Sequence, residues 1–441
     1  MSATKLAARR IVFIVHYFPP VNSTGAKRVE ALSKYFVREG RDVTVITTRK
    51  TGTDGSFTEQ AAPGVRVLEM DALGRRVASQ APATVANSAA VSGRKTLLRR
   101  VKDWVQRAFA QLPDPRLGFA FGFLSPGLDS EIAAALKQAD VVIASMPPWP
   151  THLAALLARW RFGVQMVLDF RDQFSGNHIM PGSRPAKWLE VQIDRALCRQ
   201  ANAVVAISNP MAQYYRAFNP NVHVILNGFD PEIIDEVRSR TPVHVRQPGQ
   251  PLSIRYLGRM SRDRIPKALL RALSASLVDG RLDKSKLRFE CFGECQQLLD
   301  HLRANHVELI DMFDFNAAVP YRQAIELMLT ADYLLFAETS SQGSLSAQGV
   351  LTTKLFEYLA CGRPILAEIA ASTEAGRMIF SHGCGHFAST DAAEFAAFLG
   401  SPNLLAPVTP PANDSVRTLS RAAQALQYLE LLDHLVGAKR A

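Results

Sequence analysis

The stretch Gly349-Val-Leu-Thr-Thr-Lys354-Leu-Phe-Glu357-Tyr-Leu-Ala-Cys-Gly362-Arg-Pro364-Ile-Leu-Ala367 decides how the chain is read. Leu355, Phe356 and Leu359 fall on one helical face, Thr352 or Thr353 can cap the start, Gly362 suits a left-handed stop, and Pro364 bars continuation into Ile365. This predicts a short helix feeding a buried strand. The spacing of Glu357 from either threonine does not make a capping box, so its carboxylate is open to another partner. One use is structural, in the helix dipole or beside Lys354. The other is chemical: the N–H groups at Thr352 to Leu355 receive a diphosphate while Glu357 accepts hydrogen bonds from a ribose diol.

A chain of 441 residues with 47% apolar content can bury two cores, and 21% charge excludes a largely disordered protein. The net charge of +11 asks for an anionic partner. Its cations are spread among loops and one helix rather than gathered with aromatics, which argues against nucleic acid. Ile11 to Val15 is too short an apolar run for a signal peptide, and Pro147, Pro148 and Pro150 break the best candidate for a membrane span. The expectation is a cytoplasmic protein. Of five cysteines, Cys291 and Cys295 lie close together, but no second Cys or His pair stands at zinc spacing, so reduced thiols and no metal are expected.

Arg10 to Val15 reads as a strand, His16 to Arg28 as a long loop, and Val29, Leu32 and Phe36 as a helix ending at Gly40 before a strand over Asp42 to Thr47. That is a βαβ unit with parallel strands. No G-x-G-x-x-G follows the first strand, which weighs against a nicotinamide or flavin dinucleotide. Gly25 instead stands where backbone approaches a ligand closely, with Lys27 and Arg28 beside it. From Gly52 to Arg94 there is little periodicity, and the segment reads as an excursion from the sheet. Residues 94–109 form an amphipathic pattern with six cations off the apolar face, compatible with an anionic membrane or with a helix covering the core.

Strands follow at Asp140 to Ala144, Val164 to Leu168, Ala203 to Ile207 and Val222 to Leu226, with helices between them. The strand Val164 to Leu168 ends in Asp169-Phe-Arg171-Asp172, at the carboxyl end where open sheets bind ligands. Asn227-Gly228 and Asp230-Pro231 punctuate the chain, and the polar stretch Arg238 to Pro251 reads as a linker. A strand over Leu252 to Leu257 then ends in Gly258-Arg259, with Arg264 further on, and two planar guanidinium forks suit diphosphate oxygens. Leu287 to Phe292, Val307 to Ile310 and Asp332 to Phe336 continue the alternation of strand and helix, and a long helix over Ser415 to Val436 closes the chain.

Together these motifs resemble retaining glycosyltransferases of the GT-B fold, specifically glycosyltransferase family 4, from Arg10 to about Ala388. The marks are the His16-Tyr-Phe-Pro-Pro loop through Gly25-Ala-Lys-Arg28, Asp169 to Asp172, Asn227-Gly228-Phe-Asp230, Gly258-Arg259, and Lys354 to Pro364. The resemblance implies an α/β protein of two Rossmann-like, doubly wound domains facing each other across a cleft. The acceptor-side domain would span 1–235 and the nucleotide-sugar domain 250–400, with a helix within 412–441 returning to the first. It implies that a nucleotide diphosphate sugar is the substrate and that no cofactor or metal is used.

In that picture Glu357 binds the ribose, and Arg259 and Arg264 hold the diphosphate with Gly258, Lys354 and the helix start at Thr352 and Thr353. Gly25 approaches the phosphate, and the acceptor lies near Tyr17, Lys27, Arg28 and Asp172. Arg171, Asp172, Arg259 and Arg264 are the catalytic candidates. Two departures stand out: Gly349 occupies the place of a family glutamate that contacts the donor sugar, and Arg171-Asp172 replaces a common histidine. A sugar-nucleotide epimerase of the same fold, or a noncatalytic nucleotide-sugar-binding protein, is therefore the alternative reading. The acceptor's identity is not written in the sequence.

Overall fold

The computed structural model describes residues 7–50, 54, 56–57, 59–77, 111–247, 249–338, 344–382, 386–405 and 414–440. The amphipathic stretch 94–109 lies outside them. Among the described residues, no helix is long and apolar enough to cross a membrane.

The first sheet contains β1 (Arg10–Val15), β2 (Asp42–Thr48), β3 (Val65–Met70), β4 (Val141–Met146), β5 (Gln165–Phe170), β6 (Ala203–Ala206) and β7 (Val222–Val224), in the order β3-β2-β1-β4-β5-β6-β7. Every pairing is parallel. The continuous apolar character of β1 follows from burial on both faces. Val12 and Ile14 enter one core with Phe119, Leu168 and Phe170, while Ile11, Phe13 and Val15 enter the other with Val29, Leu32 and Phe36. The expected excursion from Gly52 to Arg94 is corrected here. Its residues Val65–Met70 form the edge strand, and the alternation of Val65, Val67 and Leu68 with Arg66 and Glu69 is the signal that a Gly- and Ser-rich context obscured.

The second sheet contains β8 (Leu252–Leu257), β9 (Leu287–Phe292), β10 (Phe313–Asn316), β11 (Tyr333–Ala337), β12 (Ile365–Glu368) and β13 (Phe387–Ser389), in the order β10-β9-β8-β11-β12-β13. It too is wholly parallel. Both sheets thus have the 3-2-1-4-5-6 order in which the winding reverses between the first strand and the fourth, leaving a crevice at their carboxyl ends. Val307–Ile310, which the alternation takes as a strand, is part of a 3₁₀ turn, Val307–Met312, and the strand begins at Phe313.

The chain divides into two compact units, residues 1–227 with 421–441, and residues 228–420. The division precedes the polar stretch expected as the linker, because the helix Pro231–Arg240 buries Ile234 and Val237 and Arg238 donates to the Ala360 carbonyl within the second unit. The closing helix is also interrupted. Asp414–Arg417 stands apart from Arg421–Arg440, and Ser420 between them makes a bridge with Phe229.

Helix Arg421–Arg440 is built into the first unit by its own apolar face. Tyr428, Leu429 and Leu432 share the core of the helix Thr24–Arg38, with Tyr428 edge-on to Phe36 at 5.9 Å. Asp433 accepts from the Ala8 N–H at 2.8 Å and from Arg41 Nη2 at 2.9 Å. Tyr428→Ala removes a large, fully buried side chain from this junction. It is expected to lower the stability of the first unit by about 3–5 kcal/mol, read as an earlier urea transition for that unit.

Candidate functional site

In the second unit, β8 and β11 flank the reversal of winding, and the residues that follow them converge. After β8 comes Gly258, with φ of +116°, a conformation that a side chain would strain. Its N–H binds the Phe292 carbonyl at 2.8 Å. A Cβ on the neighbouring Gly293 would lie 2.6 Å from the Gly258 carbonyl, so glycine there lets two strand ends pack backbone to backbone. After β11 comes Glu338, 5% exposed.

The helix Thr353–Cys361 enters above them. Thr352 is its N-cap residue, and its side chain makes no cap bond. Gly362 takes the left-handed stop at φ +69°, as the sequence predicts. The helix is held to β8 by Tyr358, whose hydroxyl accepts from the Leu257 N–H at 3.1 Å.

Arg264, Lys354 and Glu338 form the charged centre of this region. Arg264 Nε stands 2.8 Å from Glu338 Oε2. Lys354 Nζ lies over the Tyr256 ring, 3.6 Å from its centroid, and a Cβ on Gly258 would be 3.5 Å from that amine. Burial brings the Lys354 pKa down to about 8, with Glu338 pulling it up and Arg264 pushing it further down. Burial likewise raises the Glu338 carboxyl above the ordinary range, against the pull of Arg264 and Lys354. Two cations thus stand with the Glu338 carboxylate beside a helix N-terminus, whose amide ends suit an anion, and Glu357 also acts on Lys354. Glu357 is buried one turn further on, and its Oε1 accepts from the Tyr321 hydroxyl at 2.8 Å.

The predicted residues of this unit are therefore not equivalent. Gly258, Arg264, Thr352 and Lys354 come together, and Thr353 and Glu357 belong to the same helix. Arg259 is exposed and pairs at 3.5 Å with exposed Glu294. Glu338 escaped the sequence reading, although a carboxylate just past a central strand is the available signal.

In the first unit, β1 and β4 flank the corresponding reversal, and three candidate arginine and glycine positions take structural places. Arg171 is buried and donates from Nε to Met146 O at 3.1 Å, from Nη2 to Pro147 O at 2.7 Å, and from Nη1 to Gly25 O. A Cβ on Gly25 would lie 2.9 Å from Arg171 Nη1 and 3.1 Å from Tyr17 Cδ2. The close approach that requires glycine is made by these side chains. Arg28 binds Asp169 with Nη2 at 2.8 Å and donates to the carbonyls of Ile225 and Leu226. Ser145 Oγ completes Asp169 at 2.7 Å. Arg28 is 4% exposed, so its place is in the core and not on the acceptor surface. Lys27 and Tyr17 are half-buried, and Asp172 is exposed.

A further polar cluster was missed. His16 follows β1, and its Nδ1 lies 2.6 Å from Thr48 Oγ1 while Nε2 accepts from Arg116 Nε at 3.1 Å. Burial, with Arg116 and Lys50 nearby, depresses its pKa to about 3, so the imidazole is neutral. Lys50 donates to the His16 carbonyl and to Thr47 Oγ1, and burial takes its pKa down to about 8. The signal available was a lysine two residues past β2.

The chain is similar to known proteins in part of its sequence and in its fold. Residues 23–228 match the glycosyl transferase 4-like domain. Alpha-maltose-1-phosphate synthases of two Mycobacterium tuberculosis strains are 33% identical over 135 residues, 28% of this chain and 34% of theirs. The match thus spans about a third of the length of those relatives. Among solved structures, sucrose-phosphate synthase from Thermosynechococcus elongatus superposes with TM-score 0.57 at 15% identity, covering 98% of this chain and 100% of that one. A lipopolysaccharide outer core galactosyltransferase gives 0.53 at 12%, covering 98% and 99%. The two Rossmann-like units are those of the GT-B fold. Residues 23–228 are thus similar to a glycosyl transferase 4-like domain, and the chain as a whole has the fold of these glycosyltransferase structures.

Two measurements check the geometry. Asp169→Ala leaves the Arg28 guanidinium buried without its carboxylate and is expected to cost about 3–5 kcal/mol, measured as urea stability of the first unit. For Lys354, the folded pKa of about 8 lies below the ordinary 10.5. The unfolded chain therefore binds more protons between those values, and the cost of the buried ammonium is present below pH 8 and relieved above it. The stability advantage of Lys354→Met over the wild type should shrink as pH rises through that window, in paired thermal melts.

Proposed function

We propose that the chain transfers a hexosyl group from a nucleotide diphosphate sugar to an acceptor, with retention at the anomeric carbon and without a metal ion. The observation that carries this reading is the positive centre of Arg264 and Lys354 at the start of the Thr353–Cys361 helix, one turn from the Glu357 carboxylate. The two groups match the two ends of a nucleoside diphosphate. Arg264, Lys354 and N–H groups at the start of the helix would take the phosphates, and Glu357, oriented by Tyr321, the ribose diol.

The chemistry asks little covalent help of the protein. As the glycosidic bond lengthens, negative charge grows on the departing diphosphate, and fixed cations and amide dipoles stabilise it more than they stabilise the intact donor. Glu338 sets the charge of those cations. Arg259, on an exposed arm after Gly258, would complete the phosphate contacts once a donor is bound. In the first unit, Tyr17, Lys27 and Asp172 remain as acceptor contacts, while Arg171 acts as a positioning residue by holding Gly25 against Pro147.

Polysaccharide or glycoconjugate synthesis in the cytoplasm, with peripheral membrane contact through 94–109, belongs to the same reading. Of this, the relatives' names, a maltose-1-phosphate synthase, a sucrose-phosphate synthase and a lipopolysaccharide galactosyltransferase, support the making of a glycosidic product. Gly349, which supplies no carboxylate to the donor sugar, favours the noncatalytic alternative.

A thermal-shift screen of UDP-, GDP- and ADP-linked sugars tests the proposal, because a ligand that binds the folded state raises its melting temperature. One base is expected to stabilise the protein, with slow hydrolysis of its sugar. Glu357→Ala should weaken that donor by about tenfold or more and abolish the hydrolysis. Binding without turnover of any acceptor or water would leave a noncatalytic protein, and no binding across the panel would end the proposal.

A further inference from the structure

The loop after β5 and the helix Arg184–Gln200 gather apolar side chains where water should discourage them. Ile179 and Met180 are 58% and 42% exposed, and Trp188 and Leu189 are 64% and 42% exposed. The loop folds back on the helix start, since a Cβ on Gly182 would lie 2.8 Å from Lys187 Cε, one residue from Trp188. Four large exposed apolar groups thus fall within eleven residues of one loop and helix start in the first unit.

Charge is segregated in the same segment. Between Gln173 and Gln200 the acids are Glu190 and Asp194, and both are buried. Glu190 binds Lys187 Nζ at 2.9 Å, and Asp194 accepts from the Ser175 N–H at 3.0 Å and the Tyr215 hydroxyl at 3.2 Å. Arg184 and Arg199 are exposed, and Lys187 and Arg195 are half-exposed. Within 173–200 the exposed groups therefore include tryptophan, leucine and cations and no acid, the nearest exposed acid in sequence being Asp172. Trp160 is equally exposed at 64%, but the arginines beside it are committed: Arg159 to Asn202, and Arg161 to the carbonyls of Phe123 and Ser125.

We propose that this face docks on an anionic lipid bilayer. Ile179, Met180, Trp188 and Leu189 enter the headgroup boundary, where the amphipathic indole is at home, while the exposed Arg184 and Arg199 meet lipid phosphates. Charge complementarity selects the occupant. A protein groove would need acids facing these cations as well as an apolar hollow, whereas an anionic bilayer offers both everywhere on its surface. The surface is distinct from 94–109 and does not depend on what the second unit binds.

The test uses the full chain with vesicles of phosphatidylcholine, with and without phosphatidylglycerol, read by co-sedimentation and by quenching of tryptophan fluorescence with brominated acyl chains. Binding is expected to the anionic vesicles alone, falling with salt. Ile179→Ser with Trp188→Ala should weaken it by about tenfold or more, and Arg184→Glu with Arg199→Glu should weaken it while leaving fluorescence of the free protein unchanged. Trp160→Ala should bind as the wild type does, and circular dichroism should report the same fold for all variants. The proposal is overturned by undiminished binding of the Ile179/Trp188 variant, by equal loss in Trp160→Ala, by equal binding to neutral vesicles, or by self-association through this face in place of lipid binding.

Discussion

An ammonium group withdrawn from water must be held by what surrounds it, and Lys354 has the face of Tyr256 and the carboxylate of Glu338 to hold it. The arrangement around it follows from that need. Tyr256 is fixed because its hydroxyl donates to the Arg259 carbonyl at 2.7 Å, and Glu338 is fixed by Arg264. The consequence is a tight cluster of cations and carboxylates beside a helix N-terminus, placed where two parallel strands part. A ligand with two negative phosphates satisfies such a centre better than the protein does by itself, which is why the proposed donor site falls here and not at the exposed Arg259.

The first unit uses the same residue types for a different end. Arg28 and Arg171 are each surrounded by carbonyl oxygens, and Asp169 compensates one of them. A guanidinium offers five donors in a rigid fork, so one side chain can tie three loop segments at once. Arg171 does this at the reversal of strand order, drawing together the loop after β1 and the Pro147 segment after β4. The glycine at position 25 is thereby explained by the arginine that crowds it.

Much of this was legible in the sequence, because parallel strands buried on both faces write themselves as unbroken apolar runs. Ile11 to Val15 and Leu334 to Phe336 were read that way, and so was the helix stop at Gly362. The edge strand β3 was harder, since exposed Arg66 and a buried charged residue, Glu69, interrupt its apolar pattern. Site residues were legible by position at strand ends but not by role. Arg28 and Arg264 look alike in a linear chain, and only the third dimension surrounds one with carbonyls and sets the other against a carboxylate. Glu338 was missed because the residues that define its surroundings, Arg264 and Lys354, lie 74 and 16 positions away.

The bridge between Phe229 and Ser420 carries one more consequence. The second unit leaves the first at one point of the chain and returns at another, and its two ends are neighbours. It is therefore a cassette set within the first unit's sequence, with abutting ends that a short peptide can join. Such a layout lets recombination exchange the whole second unit while the host keeps its closing helix, and with it the core built around Phe36 and Tyr428.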